Sequence, residues 1–475
     1  MTTDIPEFDV AVIGAGVVGS AIARDLARYD LRVVLLEAGP DVGVGTSKAN
    51  TAIWHTGYDA VPGSLEARLL RRGYERLAEF MPAAGVPFEL LGGLLIAWNE
   101  NQRAALPKLL DKALANGGAN AHLVTADEVY QREPHLGPGA LGGLFVPEEG
   151  ILCTFTLPLA YATQAVVNGV ELRLNFPVRE IADASGQHTV SGPGGAVRCR
   201  YLVNAAGLYG DEIDRLLGHH FFTITPRRGQ LIVFDKAARS LVRHVLLPVP
   251  TAITKGVLIS PTVYGNVLLG PTAEDLRDKS DTASTGAGLE MLWQKGEAIL
   301  PALLREEVTA VYAGLRPATE HSDYQIRLHA DQRYVCVGGI RSTGVSGSLG
   351  IAEHVAGLLT DAGLPLTPKA EFKPVRMPNI GEAALRPYQS AAHIARNPDY
   401  GRMVCHCEHV SLGELADATR SPVPARTLDG LRRRTRAMQG RCQGFNCQAA
   451  VTALLAQATG QPPEQLLGLE AAHGR

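Results

Sequence analysis

The sequence lacks any run of about 18 apolar residues, the length a membrane-crossing helix needs. Its first ten residues, MTTDIPEFDV, carry acids where a secretory leader would place bases and then an apolar stretch. The expected compartment is therefore the cytoplasm, with any contact to the inner membrane made through a partner. A large charge of one sign is missing as well. Lys and Arg number 45 against 48 Asp and Glu, a formal charge of −3, so a nucleic-acid coat or a membrane-hugging cation is not expected. Aromatic residues make up only 6% of the chain, and no internal repeat or low-complexity tract occurs. Cysteine is scarce at seven residues, yet four of them, Cys405, Cys407, Cys442 and Cys447, crowd the C-terminal end. In a reducing compartment such clustered thiols point to metal or redox chemistry rather than disulfides.

Apolar residues are plentiful, at 46% of 475 residues, enough for about three structural units. The string FDVAVIGAGVVGSAIARDLARYDLRVVLLEAG reads as strand, glycine turn, alanine-rich helix and second strand. The same order returns in YLVNAAGLYGDEI and in RYVCVGGIRSTGVSGSLGIAEHVAGLL. Strand-like GQLIVFD and GNVLLGPT and helical GLEMLWQKGEAILPALL lie between those two. This implies a dinucleotide-binding domain assembled from separated pieces, with a second domain inserted.

Within GAGVVG the glycines have separate tasks. Gly14 allows the tight turn, Gly16 lets backbone approach a pyrophosphate, and Gly19 lets helix and strand pack closely. Glu37, closing the second strand, stands where an acid can bind ribose hydroxyls. The fingerprint alone serves NAD and FAD equally.

The strings VIGAGVVGSAIARDLA, EAG and GIRSTGVSGSLGIAEHVA together resemble the glycine oxidase and D-amino-acid oxidase superfamily of FAD-dependent oxidoreductases. Within it, TSKANTAIWHTGYDAVPGSLEARL is most similar to glycerol-3-phosphate dehydrogenases and their L-2-hydroxyglutarate-oxidising relatives. The resemblance implies noncovalent FAD. It places Thr46, Ser47 and Asn50 along the phosphates and ribityl chain, Val178 at the adenine, and Ala206 and Gly207 beneath the cofactor. Backbone N–H groups of Gly344, Val345, Ser346, Gly347 and Ser348 would meet the flavin's pyrimidine edge, where a helix N-terminus stabilises negative charge.

The fold class that follows is α/β with an α+β insert. A Rossmann-like FAD-binding domain takes about 1–85, 145–215 and 325–365, and an antiparallel-sheet substrate domain about 86–144 and 216–324. A proline-containing linker then spans 371–400, and a small helical cluster-binding domain 401–460.

Oxidising a secondary alcohol by hydride transfer requires an acceptor for the hydroxyl proton. His55, in TAIWHTGYD, is the candidate, since an ordinary imidazole pKa near 6.5 suits that task; a ring that only packs under the flavin is the alternative. An anionic substrate needs fixed cations, for which Arg316 in AGLRPAT, Arg341 in GIRSTG and Lys255 in AITKG are candidates, against purely structural roles. The departure at Cys153 and Thr154, where related enzymes show an acid and proline, leaves specificity open to an L-2-hydroxy acid or a secondary amino acid.

Four thiolates suit a [2Fe-2S] cluster or a structural zinc. The C-x-C…C-x4-C spacing in VCHCEHVSLGEL and RCQGFNC resembles the bacterioferritin-associated ferredoxin-like domain, which implies the cluster. Arg432, Arg433, Arg434, Arg436 and Arg441 would then stabilise its reduced form. Cys153, Cys199 and Cys336 read as buried packing residues. Flavin followed by such a cluster favours a dehydrogenase delivering electrons to a partner subunit or quinone rather than oxygen. A subunit that only relays electrons is the rival reading.

Overall fold

The computed structural model describes residues 5–184, 186–250 and 256–469. Five parallel strands form the heart of the first sheet, in the order Glu171–Arg173, Val33–Leu36, Glu7–Ile13, Gly195–Asn204 and Tyr334–Gly338. Alternation along these strands feeds two cores. Val10, Val12, Val33 and Leu35 meet the residues of helices Val17–Leu26 and Thr156–Val167 on one face. Ala11, Ile13, Val34 and Leu36 join Ile213, Ile181 and Val190 on the other. Burial on both faces explains why the strands read as continuous apolar runs.

The second sheet has nine strands, from Glu274–Asp275 at one edge to His122–Val124 at the other, with its longest pairing between Thr225–Phe234 and Val308–Ala318. It is antiparallel except where Val245–Pro248 runs parallel to Gly93–Ala97, so the expected antiparallel sheet is in fact mixed. The three outlying cysteines, Cys153, Cys199 and Cys336, are buried, as expected.

Helices Leu412–Arg420, Leu428–Thr435 and Gln448–Thr459 pack around Leu415, Leu431, Val451 and Leu455, with Cys405 and Cys447 in the same small core. The segment 371–400 straps this unit to the rest. Met377 N donates to Ala84 O, and Glu382 N to Val263 O, both at 2.8 Å. Among the described residues no helix is long and apolar enough to cross a membrane.

Candidate active site and cluster-binding unit

The first strand ends at Gly14, whose φ of +99° favours glycine; a Cβ there would lie 2.5 Å from the Ala205 carbonyl oxygen. At Gly19 a Cβ would fall 1.9 Å from the Gly14 oxygen, so only glycine lets helix and strand meet. Gly16 caps the helix Val17–Leu26 with no side-chain acceptor, which leaves backbone donors at a helix N-terminus. Ser47 Oγ accepts Val17 N at 2.9 Å. Glu37 accepts from Ala15 N at 2.7 Å and Gly39 N at 2.8 Å. Burial raises its pKa while those two bonds oppose the rise. Each carboxylate oxygen carries one backbone bond and keeps a lone pair for a hydroxyl. These residues fit a dinucleotide.

A cavity of about 550 Å³ opens from this turn and runs between the two sheets. Among the expected site residues, Gly16, Thr46, Ser47, Asn50, His55, Gly207, Arg316, Arg341, Gly344, Val345 and Ser346 border it. Gly347 and Ser348 do not. They lie in the helix Gly344–Asp361, where the Gly347 backbone packs on Gly73 and the Ser348 hydroxyl hydrogen-bonds the Tyr161 hydroxyl. Gly14, Gly19, Glu37 and Ala206 lie behind the cavity wall, and half-buried Val178 packs against the second core. Asn50 spends its amide on Ser47 O and its carbonyl on Ala52 N. Lys255 lies outside the described residues.

His55 is not an ordinary imidazole. Nδ1 stands 3.0 Å from Glu149 Oε1, and Nε2 stands 3.0 Å from Asp59 Oδ1. Desolvation alone would lower its pKa, but Glu149 and Asp59 outweigh it and push the value up to about 10. The ring is therefore an imidazolium at neutral pH, and an argument from a pKa of 6.5 does not apply to it. Glu149, fully buried, also accepts from Thr56 N and Thr56 Oγ1, so its orientation is fixed.

Across the same cavity Arg316 and Arg227 project from paired strands. Arg227 is held by Asp275 at 2.6 and 2.9 Å. Arg316 is different: among the described residues its one side-chain hydrogen bond goes to Thr272 O at 3.4 Å, and it has no ion pair. Burial and the neighbouring Arg227 lower its pKa, the mark of a cation lacking its anion. Arg341 borders the cavity too, but Nη2 is committed to Glu66 at 2.7 Å and Ser322 O at 2.6 Å. It is a tie between segments, not an open anion clamp.

In the C-terminal unit the four thiols stand in pairs, Cys407 beside Cys442 and Cys405 beside Cys447. The Cys442 pKa is lowered, chiefly by the backbone of Asn446, and Phe445 N donates to Cys442 O at 3.0 Å. His409, Arg436, Met438 and Gln443 all adopt positive φ around them, an arrangement that costs about 1–2 kcal/mol per residue. Four thiols gathered in one unit are the donor set a two-iron cluster takes, although among the described residues no three such side chains converge in a metal-holding arrangement.

The basic run next to these thiols does not serve them as expected. Arg433 and Arg434 pair with Asp41, Arg436 with Glu408, and Arg441 with Asp235 and Glu307, while Arg432 donates to Met438 O. Arg433, Arg434 and Arg441 tie the unit to the other domains, as does Arg436 through Asn266 Oδ1 at 3.3 Å, while the Arg436–Glu408 pair and the Arg432 bond lie within the unit. Glu149, Asp59, Arg227 and Asp41 were missed in the sequence. Glu149 stands 94 residues from His55, so only their contact in the fold reveals its role, whereas Asp59 lies four residues on, within HTGYD.

The family described as DAO, FAD dependent oxidoreductase, matches residues 9–358, and the BFD-like [2Fe-2S] binding domain matches residues 403–457. A glycerol 3-phosphate dehydrogenase of Caloramator mitchellensis is 35% identical over 454 residues, covering 95% of each chain. A glycerol 3-phosphate oxidase of Mycoplasma pneumoniae is 30% identical over 361 residues, covering 74% of this chain and 94% of its own. The FAD-bound, dithionite-reduced L-alpha-glycerophosphate oxidase of Mycoplasma pneumoniae superposes with a TM-score of 0.75 at 29% identity, over 79% of this chain and 100% of that one. The turn, cavity and thiol pairs thus have their explanation in descent: this chain belongs to the DAO family of FAD-dependent oxidoreductases and carries a BFD-like [2Fe-2S] binding domain at its C-terminal end.

Proposed function

We infer that this chain is a dehydrogenase of a small anionic secondary alcohol, sn-glycerol 3-phosphate, yielding dihydroxyacetone phosphate and passing electrons onward to an external protein or quinone. The observation that carries this reading is Arg316, a buried guanidinium on the cavity wall with no ion pair among the described residues. A phosphate supplies the missing charge in a geometry that a guanidinium fork matches. Arg227 stands beside it, and Lys255 is assigned to the same anion. The near-full-length similarity to a glycerol 3-phosphate dehydrogenase supports the choice of substrate.

Gly14, Gly16, Gly19, Glu37, Thr46 and Ser47 would hold the dinucleotide, and the four C-terminal cysteines the iron. When bound, FAD supplies hydride acceptance and the cluster single-electron chemistry. The chain itself handles the proton. A doubly paired imidazolium cannot take it, so the acceptor is a carboxylate bonded to it; Asp59 and Glu149 both border the cavity, and of the two Asp59 keeps some exposure, 8% against 0%. His55 then orients Asp59 and holds its charge. On this reading the first sheet forms the FAD-binding domain and the second the substrate domain.

Adding sn-glycerol 3-phosphate to the isolated, oxygen-free protein should bleach the flavin absorbance. Bleaching by L-2-hydroxyglutarate or proline instead would reassign the substrate, and no bleaching by any of the three would favour an electron-relay subunit.

A further inference from the structure

The loop from Glu37 to Ser47 is stitched to the glycine turn at both ends. Glu37 Oε2 takes Ala15 N, Gly43 N donates to Ala15 O at 2.9 Å, and Ser47 Oγ takes Val17 N. Its middle faces elsewhere. Asp41 points into the cluster-binding unit, where Arg433 Nη2 and Arg434 Nη1 reach Oδ2 at 2.6 Å each and Arg434 Nη2 reaches Oδ1 at 2.8 Å. Arg433 Nη1 adds a bond to Val42 O at 2.7 Å. The Asp41, Arg433 and Arg434 side chains are 2%, 5% and 4% exposed, so neither side can withdraw without stranding buried charge. Backbone bonds from Gly43 N to Ala15 O and from Asn175 N to Gly39 O also hold the middle of the loop, and the clamp adds a buried charge pairing from the other unit. The loop contains Gly39, Gly43 and Gly45, Gly43 has a φ of +69°, and nothing lies within 4 Å of where a Cβ of Gly45 would be.

We propose that Asp41 is a positioning residue that couples the two cofactor sites. Its clamp to Arg433 and Arg434 holds the loop in the shape FAD requires, so that FAD binding and docking of the cluster-bearing unit stabilise each other. This rests on the FAD cradle assigned above. Coupling of this kind is reciprocal, so each cofactor site must feel the loss of the other by the same factor.

The test uses the full chain with both cofactors. In Asp41→Asn the dissociation constant for FAD should rise at least tenfold. Arg433→Gln, 392 residues away in sequence, should weaken FAD similarly, and it covers the case in which Asp41→Asn does not fold. In the unsubstituted protein, stripping FAD should speed chelator-driven bleaching of the cluster absorbance; in either variant FAD should no longer change that rate. Unchanged FAD affinity in Arg433→Gln, or bleaching indifferent to FAD in the unsubstituted protein, overturns the coupling. Gly16→Val tests the cradle by itself. If it loses FAD while both clamp variants keep it, the coupling fails and the cradle stands; if it retains FAD, the cradle reading fails.

Discussion

His55 and Arg316 could both be picked out of the sequence by the strings around them, but their electrostatic states could not. Of the carboxylates that raise His55 to about 10, Asp59 lies four residues on, but Glu149 lies 94 residues away. Because the folded value lies above the ordinary 6.5, this ring stabilises the fold fully below pH 6.5, and that contribution is lost as pH rises toward 10. Thermal unfolding followed from pH 6.5 to 10 should therefore show a fall in Tm that Glu149→Gln flattens. Turnover should show no loss attributable to His55 deprotonation between pH 7 and 9. For Arg316, a hydrogen bond to a charged group contributes about 1.5–3 kcal/mol, and an anion gripped by a guanidinium fork takes two. Arg316→Ala should thus cut kcat/KM at least a hundredfold by stopped-flow flavin reduction, with bound FAD retained. A variant that reacts normally would remove the anion site from this wall.

At the scale of elements, period and punctuation located the helices and strands, whereas their closest approaches became visible only on folding. Helix Leu65–Ala84 lies against Gly344–Asp361 through glycines, and a Cβ at Gly350 would sit 2.1 Å from Leu69 O. Gly350→Ala should cost about 1–3 kcal/mol by overpacking, lowering Tm; since Gly344–Ser346 begin the same helix at the cavity, FAD should also be held less tightly. The arginines of 432–436 teach the complementary lesson. As a string they read as cations around a cluster, and in the structure they are the teeth of an interface. Charge composition reports that cations are near; it says nothing about which acids they meet, because Asp41 and Glu408 arrive from opposite ends of the chain.

For the whole molecule, the C-terminal unit is the weak part. Its core is small, built on Leu415, Leu431, Val451, Leu455 and a few neighbours, and a unit of this size usually needs a staple such as metal to stay folded. Removing iron with a chelator should expose it, seen as faster proteolysis within 371–400 and in the unit itself, while the sheets of residues 5–370 remain resistant. Equal resistance with and without iron would show that the docking contacts suffice. The strap through Met377 and Glu382 and the ion pairs Arg433–Asp41 and Lys236–Glu408 make a single docked arrangement of this unit.

The amino-acid sequence by itself determined the glycine turn with its acid, the strand and helix order, and the thiol set, because each depends on residues close together in the chain and on backbone rules that act locally. Tertiary structure alone decided that His55 is an imidazolium, that Arg316 has no ion pair among the described residues while Arg341 has one, and that the basic run is a clamp. Those are properties of the field at one point in space. That field is made by charges and burial drawn from segments that the sequence keeps apart, 94 residues for His55 and Glu149 and 392 for Arg433 and Asp41.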